Sequence, residues 1–531
     1  MTEKTSDYII PDNVSRTIGR DAQRNNIMAA KIVADIVKTT LGPKGMDKML
    51  VDSTGNVIVT NDGVTILEEM EIEHPAAKMM VDIAKTQELE VGDGTTSAVL
   101  IAGKLLENAE TLLDKKIHPT IIIKGYEKAS KKALEILSEI SIPIKERSIL
   151  KKIAMTAMTG KGAEGNREKL SEIIVEAVSQ ISDNTINSSD IKIEKVKGNS
   201  VVDSELIKGI VLDKERANQE MPSRIEKAKI LLIDFPIEFK GPESETRISV
   251  SSPEQLQSFI KSEEMQLKMI VEKIIGTGAR VVFCQKGIDD VAQYYFAKAG
   301  IMACRRIPKS DMERLSKATS GKIISSQEDL SDKILGSAEL VEEIKENDTN
   351  LIYVKVCVNP KAVSIIIRGG TSHVLDEIER AIKDGLGDVI SAIKSGRIVA
   401  GGGAVEIEIS RRIRSFAKTI EGREQLAIEQ FALALESIPE TLAENAGLDP
   451  IDIMTELKKR HESGLINDGL NLLNGQIEDS FLSGIIEPIK VKQQAITSAS
   501  EVAMMILRID DVLISKGKGQ GFNPSLGSEY E

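Results

Sequence analysis

The sequence predicts a multidomain α plus α/β fold in which an α/β domain is inserted into a helical one. Three observations carry that expectation. At 531 residues the chain exceeds what one hydrophobic core holds together, so two or three domains are expected. Apolar residues recur at helical spacing near both ends of the chain. From about residue 190 to 372, short β-like runs alternate with helical stretches instead.

Taken in order, DYII is strand-like and a natural edge for pairing with a neighbour. RDAQRNNIMAAKIVADIVKTTLG places Ile27, Ala30, Val33, Ala34 and Val37 on one helical stripe. DKMLVDS and NVIVTND, joined by Thr54-Gly55-Asn56, read as a β-hairpin. AAKMMVDIAKTQELEVG and SAVLIAGKLLENAETLLDKK are helical, and His118-Pro119-Thr120 starts another helix. In the middle, IKIEKVKG, KILLIDFPIEF, ARVVFCQ, MACRRI, GKII and LIYVKVCV are strand-like, and GIDDVAQYYFAKAG is helical. Within this region SSPEQLQSFIKSEEMQLKMIVEKI has Ser252 as N-cap, Pro253 at the first helical position and Gln255 completing a capping box. Leu256, Phe259, Ile260, Leu267, Ile270 and Ile274 form its stripe, while Met265 and Met269 fall off it. Helices return to about residue 460, and SKGKGQGFNPSLGSEYE reads as a flexible tail.

Composition excludes several classes. A formal charge of −13 argues against a nucleic-acid binder, which would show a basic face. No stretch approaches the roughly 20 apolar residues of a membrane span, and MTEKTSDYIIPDN has no signal-peptide core. Cys284, Cys304 and Cys357 form no CxxC and no even framework, so a reducing, cytoplasmic setting is expected. His74, His118, His373 and His461 have no metal-ligand spacing.

Four glycine-containing stretches carry candidate chemistry. VGDGTTSAVL sets small residues before a helix, a place where backbone N–H groups meet phosphate. Asp93 would repel phosphate there unless it holds a cation such as Mg²⁺, a hard ion bound through one or two carboxylates plus phosphate oxygens. An ordinary αL turn capping a helix explains the same residues. Leu41-Gly42-Pro43 follows a long helix, where a C-cap with Pro beyond it is an equally good local explanation. Asp62, between Asn61 and Gly63, is a turn residue or a site residue. Gly401, Gly402 and Gly403 allow backbone to approach a flat ligand, or serve a tight helix start. No GxxxxGK[ST] occurs, which disfavours an ordinary P-loop.

Order and combination are more specific. LGPKGMDKML, TNDGVTIL, GDGTT, TGKGAEG, IRGGTSHVLDEIERAIKDGL, AGGGAVE and IIEPIKVKQQAITSA follow one another as they do in group II chaperonins, the family of the archaeal thermosome and eukaryotic cytosolic chaperonin, which this chain resembles from about residue 10 to 513. The resemblance implies a helical equatorial ATP-binding domain (1–143 and 402–531), a hinge-like intermediate domain (144–213 and 366–401) and an inserted α/β apical domain (214–365). The apical domain would bind substrate and carry a helical lid protrusion near 241–268. It implies that Leu41, Gly42 and Pro43, with Gly94, Thr95 and Thr96, wrap the phosphates of ATP, and that Asp93 binds Mg²⁺. Asp62 and Asp384 would flank the γ-phosphate and position or deprotonate the attacking water. Lys161 would sense the γ-phosphate, and Gly402 and Glu487, with Asn471 and Leu472 nearby, would contact the nucleoside. The family commonly has Asp-Ala-Leu where Asp384-Gly385-Leu386 stands, which puts a flexible residue beside the proposed base.

The function implied is an ATP-driven chaperone: a double ring of eight or nine subunits per ring, homo- or hetero-oligomeric, enclosing non-native polypeptides, without nucleic acid or membrane. Two alternatives remain at this level. One is a soluble phosphotransferase in which Asp384 activates a substrate hydroxyl. The other is a largely structural, weakly hydrolysing subunit of a hetero-oligomeric chaperonin ring.

Overall fold

Apolar spacing becomes helix packing in the first and last quarters of the chain, and short apolar runs become sheet between them. The computed structural model describes residues 14–515 except 52–54, 56, 162–163, 182–185, 199, 239–252 and 348. Outside the described residues lie DYII, Thr54 and Asn56 of the hairpin turn, Gly162 and Ala163 of TGKGAEG, and Ser252. The 241–252 part of the expected protrusion, the side chains of Gln255, Leu256, Phe259 and Ile260, and the C-terminal tail also lie outside them. The chain divides into two units, Met1–Pro143 with Ser395–Glu531, and Ile144–Lys394.

In the first unit the helices Gly19–Lys38, Pro75–Glu90, Thr95–Asp114, Pro119–Ile140, Ala404–Ala417, Glu424–Leu435 and Ile489–Leu507 enclose one core. The stripe Ile27, Ala30, Val33, Ala34 and Val37 is buried as its period requires. Each fully buried side chain such as Leu105 or Leu106 contributes about 1.5–3 kcal/mol. Tyr126 and Phe431 meet edge to face at 5.8 Å, and the Tyr126 hydroxyl donates to the Leu105 carbonyl at 2.7 Å, so the buried ring keeps its polar tip satisfied. His118 caps the Pro119–Ile140 helix, with Pro119 in its first turn.

Small sheets join distant parts of this unit. Val14–Ile18 pairs antiparallel with Asp511–Ser515, supported by Arg16 and Asp511 at 2.6 Å. Lys48–Val51 and Val57–Thr60 form the expected hairpin, with Met49, Val51, Val57 and Val59 exposed. Arg397–Ala400 lies between Ile142–Pro143 and Ile486–Pro488, which puts Val399 opposite Glu487. Asp468–Asn471 and Gln476–Asp479 make a second hairpin.

The second unit holds a mixed sheet in the order Met302–Cys304, Val281–Cys284, Arg224–Ile233, Gly336–Glu346, Thr349–Lys355 and Gly209–Leu212, with Ile323–Ile324 beside Arg224–Ile233. The first three pair in parallel, as Ile323–Ile324 does with Arg224–Ile233, and Gly336–Glu346, Thr349–Lys355 and Gly209–Leu212 pair antiparallel. Val363–Gly369 forms a smaller sheet with Ile191–Lys197 and Glu205–Ile207. Gly336–Glu346 is absent from the runs read in the sequence. Its SAELVEEIKE stretch looks too charged for a strand, but Ala338 and Val341 face the core. Glu342 meets Lys355 at 3.0 Å, and Glu343 meets Arg216 at 3.0 Å.

Pro253–Gly276 is a helix with Pro253 at its first position. Leu267 and Ile274 are buried, whereas Met265 and Met269 are 65% and 49% exposed, as their place off the stripe requires. All three cysteines are free and buried, and burial pushes the Cys284 and Cys357 thiols up to about 12. Gly385 is not a flexible point. It sits within the Ser372–Ser395 helix, and a Cβ there would lie 2.8 Å from Ile174 Cδ1, so the residue serves close packing. No helix among the described residues is long and apolar enough to cross a membrane.

Candidate functional site

The Thr95–Asp114 helix opens without a side-chain cap. Its N-cap is Gly94 at φ +79°, a left-handed conformation that glycine adopts without strain, so the first-turn N–H groups meet no capping oxygen. The αL helix start read in GDGTT is observed, and an open first turn of this kind leaves N–H groups that suit an anion. Thr95 is buried and Asp93 and Thr96 are partly buried. The loop is closed from behind by Gln87, wholly buried, whose Nε2 donates to the Asp93 carbonyl at 2.8 Å and the Val491 carbonyl at 3.2 Å.

One other candidate stretch is packed against this opening. Gly63 begins a short helix, and a Cβ there would stand 2.7 Å from Thr96 Oγ1, so Asp62 and Thr96 belong to one neighbourhood. Asp62 caps that helix: its Oδ2 accepts from Thr65 N at 2.9 Å and Thr65 Oγ1 at 2.6 Å. Leu41-Gly42-Pro43 lies beyond the helix C-cap, which is Thr39, so the plain capping explanation does not account for Gly42. Leu442 and Leu472 fill the space beside Gly42, while Asn445 Nδ2 holds the carbonyls of Lys38 and Leu41 at 3.1 and 2.9 Å.

The glycine triplet packs against Leu470, Glu487 and Pro439. Gly402, at φ +65°, accepts from Leu470 N at 2.8 Å, and a Cβ on it would be 2.7 Å from the Leu470 carbonyl oxygen. A Cβ on Gly401 would stand 3.0 Å from Glu487 Oε1. Glu487 pairs with Lys492 at 2.8 Å, and Lys492 also pairs with the buried Glu406 at 2.9 Å. Burial pushes the Glu487 carboxyl up; Lys492 offsets this in part, and the charges of Glu406 and Asp93 push the same way as burial. That coupling puts Asp93 and Glu487 in one electrostatic neighbourhood. Burial alone would lower Lys492, but Glu406 and Glu487 outweigh it and hold the ammonium charged. Asn471 engages its side chain within its own hairpin, donating to Glu478 at 2.6 Å and accepting from Leu473 N at 3.0 Å.

Asp384 and Lys161 lie in the second unit, where they form a mostly buried ion pair at 2.5 Å. The Thr159 hydroxyl close to Lys161 in sequence is held by Arg167 at 2.9 Å.

Gln87, Glu406, Asn445 and Lys492 were not found in the sequence. Lys492 and Glu406 had a signal: a charge on an otherwise apolar helical face in PIKVKQQ and AVEIEIS. Gln87 and Asn445 had none, because Val491 lies 404 residues from Gln87 and Lys38 and Leu41 lie 407 and 404 residues from Asn445.

The residues fit a magnesium nucleotide. An uncapped helix start suits phosphate. Among the described residues no three or more His, Cys, Asp or Glu gather to hold a metal unaided. A cation at Asp93 would therefore depend on the ligand's own oxygens, which is the ordinary mode for Mg²⁺.

Residues 33–517 match the TCP-1/cpn60 chaperonin family. The chain belongs to that family. The thermosome subunit of Methanopyrus kandleri is 56% identical to this chaperonin over 515 residues, covering 96% of this chain and 94% of that protein. The thermosome subunit beta of Archaeoglobus fulgidus is 56% identical over 516 residues, covering 96% and 95%. The subunit alpha of the same organism is 53% identical over 532 residues, covering 98% of each. This chaperonin is of the group II type and works as a molecular chaperone.

Proposed function

We propose that this chaperonin is an ATPase that couples ATP binding and hydrolysis to the enclosure and folding of non-native polypeptides. The observation that carries this reading is the uncapped, glycine-started Thr95–Asp114 helix with Asp93 at its mouth. Leu41, Gly42, Pro43, Gly94, Thr95 and Thr96 hold the phosphates, Asp93 holds Mg²⁺, and Gly402, Asn471, Leu472 and Glu487 meet the nucleoside. Bound there, Mg²⁺ supplies the positive charge that neutralises phosphate oxygens. Asp62 and Asp384 orient or deprotonate the attacking water, and Lys161 senses the γ-phosphate. Hydrolysis of this kind needs an oriented water and little covalent work from protein.

In this reading the chain has equatorial (1–143, 402–531), intermediate (144–213, 366–401) and apical (214–365) domains, with a lid near 241–268. It assembles in cytoplasmic double rings of eight or nine members. The occurrence of alpha and beta subunits among its relatives favours rings of more than one subunit type.

Two variants test the site. Asp93→Ala is expected to lose tight Mg-ATP binding and hydrolysis together. Asp384→Ala is expected to keep binding and slow hydrolysis by about 100-fold, the scale of a lost general base. Isothermal titration and single-turnover hydrolysis read both. Normal Mg-ATP affinity in the first variant removes the metal role, and normal turnover in the second removes the water role.

A further inference from the structure

We infer that Gln87 is a positioning residue for the metal end of this site: its side-chain amide sets the Asp93 loop against the first turn of the Ile489–Leu507 helix. The inference rests on the reading of Asp93 as the Mg²⁺ ligand.

Gln87 lies in the last turn of the Pro75–Glu90 helix with no exposed surface. Its backbone carbonyl accepts from Val91 N at 3.0 Å and Gly92 N at 3.3 Å, which starts the loop. Its side chain then reaches forward to the Asp93 carbonyl at 2.8 Å, which closes the same loop from the other end. A second bond, to the Val491 carbonyl at 3.2 Å, ties that closed loop to a separate helix. Both partners are backbone carbonyls and can only accept. The amide orientation is therefore fixed, with the NH₂ group supplying two donors from one nitrogen. Gln87 Oε1 is buried and finds no hydrogen-bond donor among the described residues. The side chain thus keeps two bonds to the loop and helix while leaving a buried acceptor unmatched. An apolar residue would fill the space without that penalty but would hold neither carbonyl.

The need for such a staple follows from the loop itself. Asp93 stands between Gly92 and Gly94, both at positive φ, so its own sequence restrains the carboxylate weakly. Gly94 is pressed from the same side: a Cβ there would be 3.1 Å from Gln87 Nε2 and 2.8 Å from Val491 Cγ1. Val491 precedes Lys492, which holds Glu487 at 2.8 Å. One amide therefore anchors the loop to the segment that carries the carboxylate on the nucleoside side. Groups that orient a metal-binding residue without touching the metal typically change metal affinity by about 10–100-fold when removed.

The test uses the assembled full-length protein and two variants. Gln87→Leu removes both donors, and Gln87→Glu keeps the shape but turns carboxylate oxygens toward the two carbonyls. Binding of ATP is titrated calorimetrically with Mg²⁺ and with EDTA, with Asp93→Ala measured alongside. Both Gln87 variants are expected to weaken Mg-ATP binding about tenfold or more, to leave metal-free ATP binding unchanged, and to speed amide exchange across residues 92–96 before any ligand is added. Wild-type Mg-ATP affinity in either folded variant overturns the positioning role, as does an equal loss with and without Mg²⁺. If Asp93→Ala itself retains Mg-ATP affinity, the metal reading of Asp93 falls instead. Loss in Asp93→Ala with none in the Gln87 variants leaves that reading standing and overturns only the role of Gln87.

Discussion

Glu408 offers the sharpest stability prediction. It lies on the Ala404–Ala417 helix with its side chain wholly buried, and it accepts from Arg411 at 2.7 Å, Arg412 at 2.6 Å and His461 at 3.2 Å. Burial alone would push this carboxyl up, but the hydrogen bonds from His461, Arg411 and Arg412 overcome burial and hold it at about 2, against an ordinary 4.5. A lowered folded-state pKa contributes stability that is fully present above the unfolded value and is lost as pH falls through the folded one. The difference is worth about 3 kcal/mol, present at neutral pH and lost between about pH 4.5 and pH 2. Glu408→Gln keeps the shape and removes the charge. At pH 7 the variant is expected to melt about 3–5 °C lower than wild type. As pH falls through that window the wild type gives up its advantage, so the two melting curves converge near pH 2. Calorimetry of both proteins, side by side across the series, reads this directly. A gap that stays constant with pH refutes the argument, and so does no gap at pH 7.

Other outcomes follow from geometry already described. Gly402→Ala must place a Cβ 2.7 Å from a backbone oxygen at φ +65°, so it is expected to break the Leu470–Gly402 bond, lose about 2–4 kcal/mol and weaken ATP binding; thermal unfolding and titration check both. Replacing Val57 and Val59, each 46% exposed on a two-stranded hairpin, with Lys is expected to lower the mass of the proposed ring by light scattering, because such a hairpin is marginal alone and its apolar faces suit a neighbour.

Much of the secondary structure was legible because its causes are local. The Gly19–Lys38 stripe, the Pro119 helix start and the Lys48–Thr60 hairpin each announce themselves within a few residues. The exposure of Met265 and Met269 was legible for the same reason, being a matter of angle around one helix. Gly336–Glu346 was not, since its glutamates are acceptable in a strand only with Lys355 and Arg216 beside them. The candidate site divides along the same line. Asp93 and Gly94 raised a question visible in five letters, whereas the answer involves Gln87, Val491, Lys492 and Glu406, whose meeting depends on tertiary packing. Gly385 shows the converse: read locally it suggested flexibility, but Ile174, far away in sequence, makes it a packing residue.

The first unit is assembled from the two ends of the chain, and that has a consequence for its synthesis. Gly42 awaits Leu442 and Leu472, Gln87 awaits Val491, and Val14–Ile18 awaits Asp511–Ser515. Residues 144–394 are made in between, taking about 10–50 s at about 5–20 residues per second. The continuous second unit can form while the helices of the first quarter of the chain have only one another to pack on, without Glu424–Leu435 and Ile489–Leu507. The proposed phosphate loops, though among the first segments translated, therefore meet Val491, Leu442 and Leu472 only when the last helices leave the ribosome. Until then a chain built to shelter unfolded polypeptides is itself one that needs shelter.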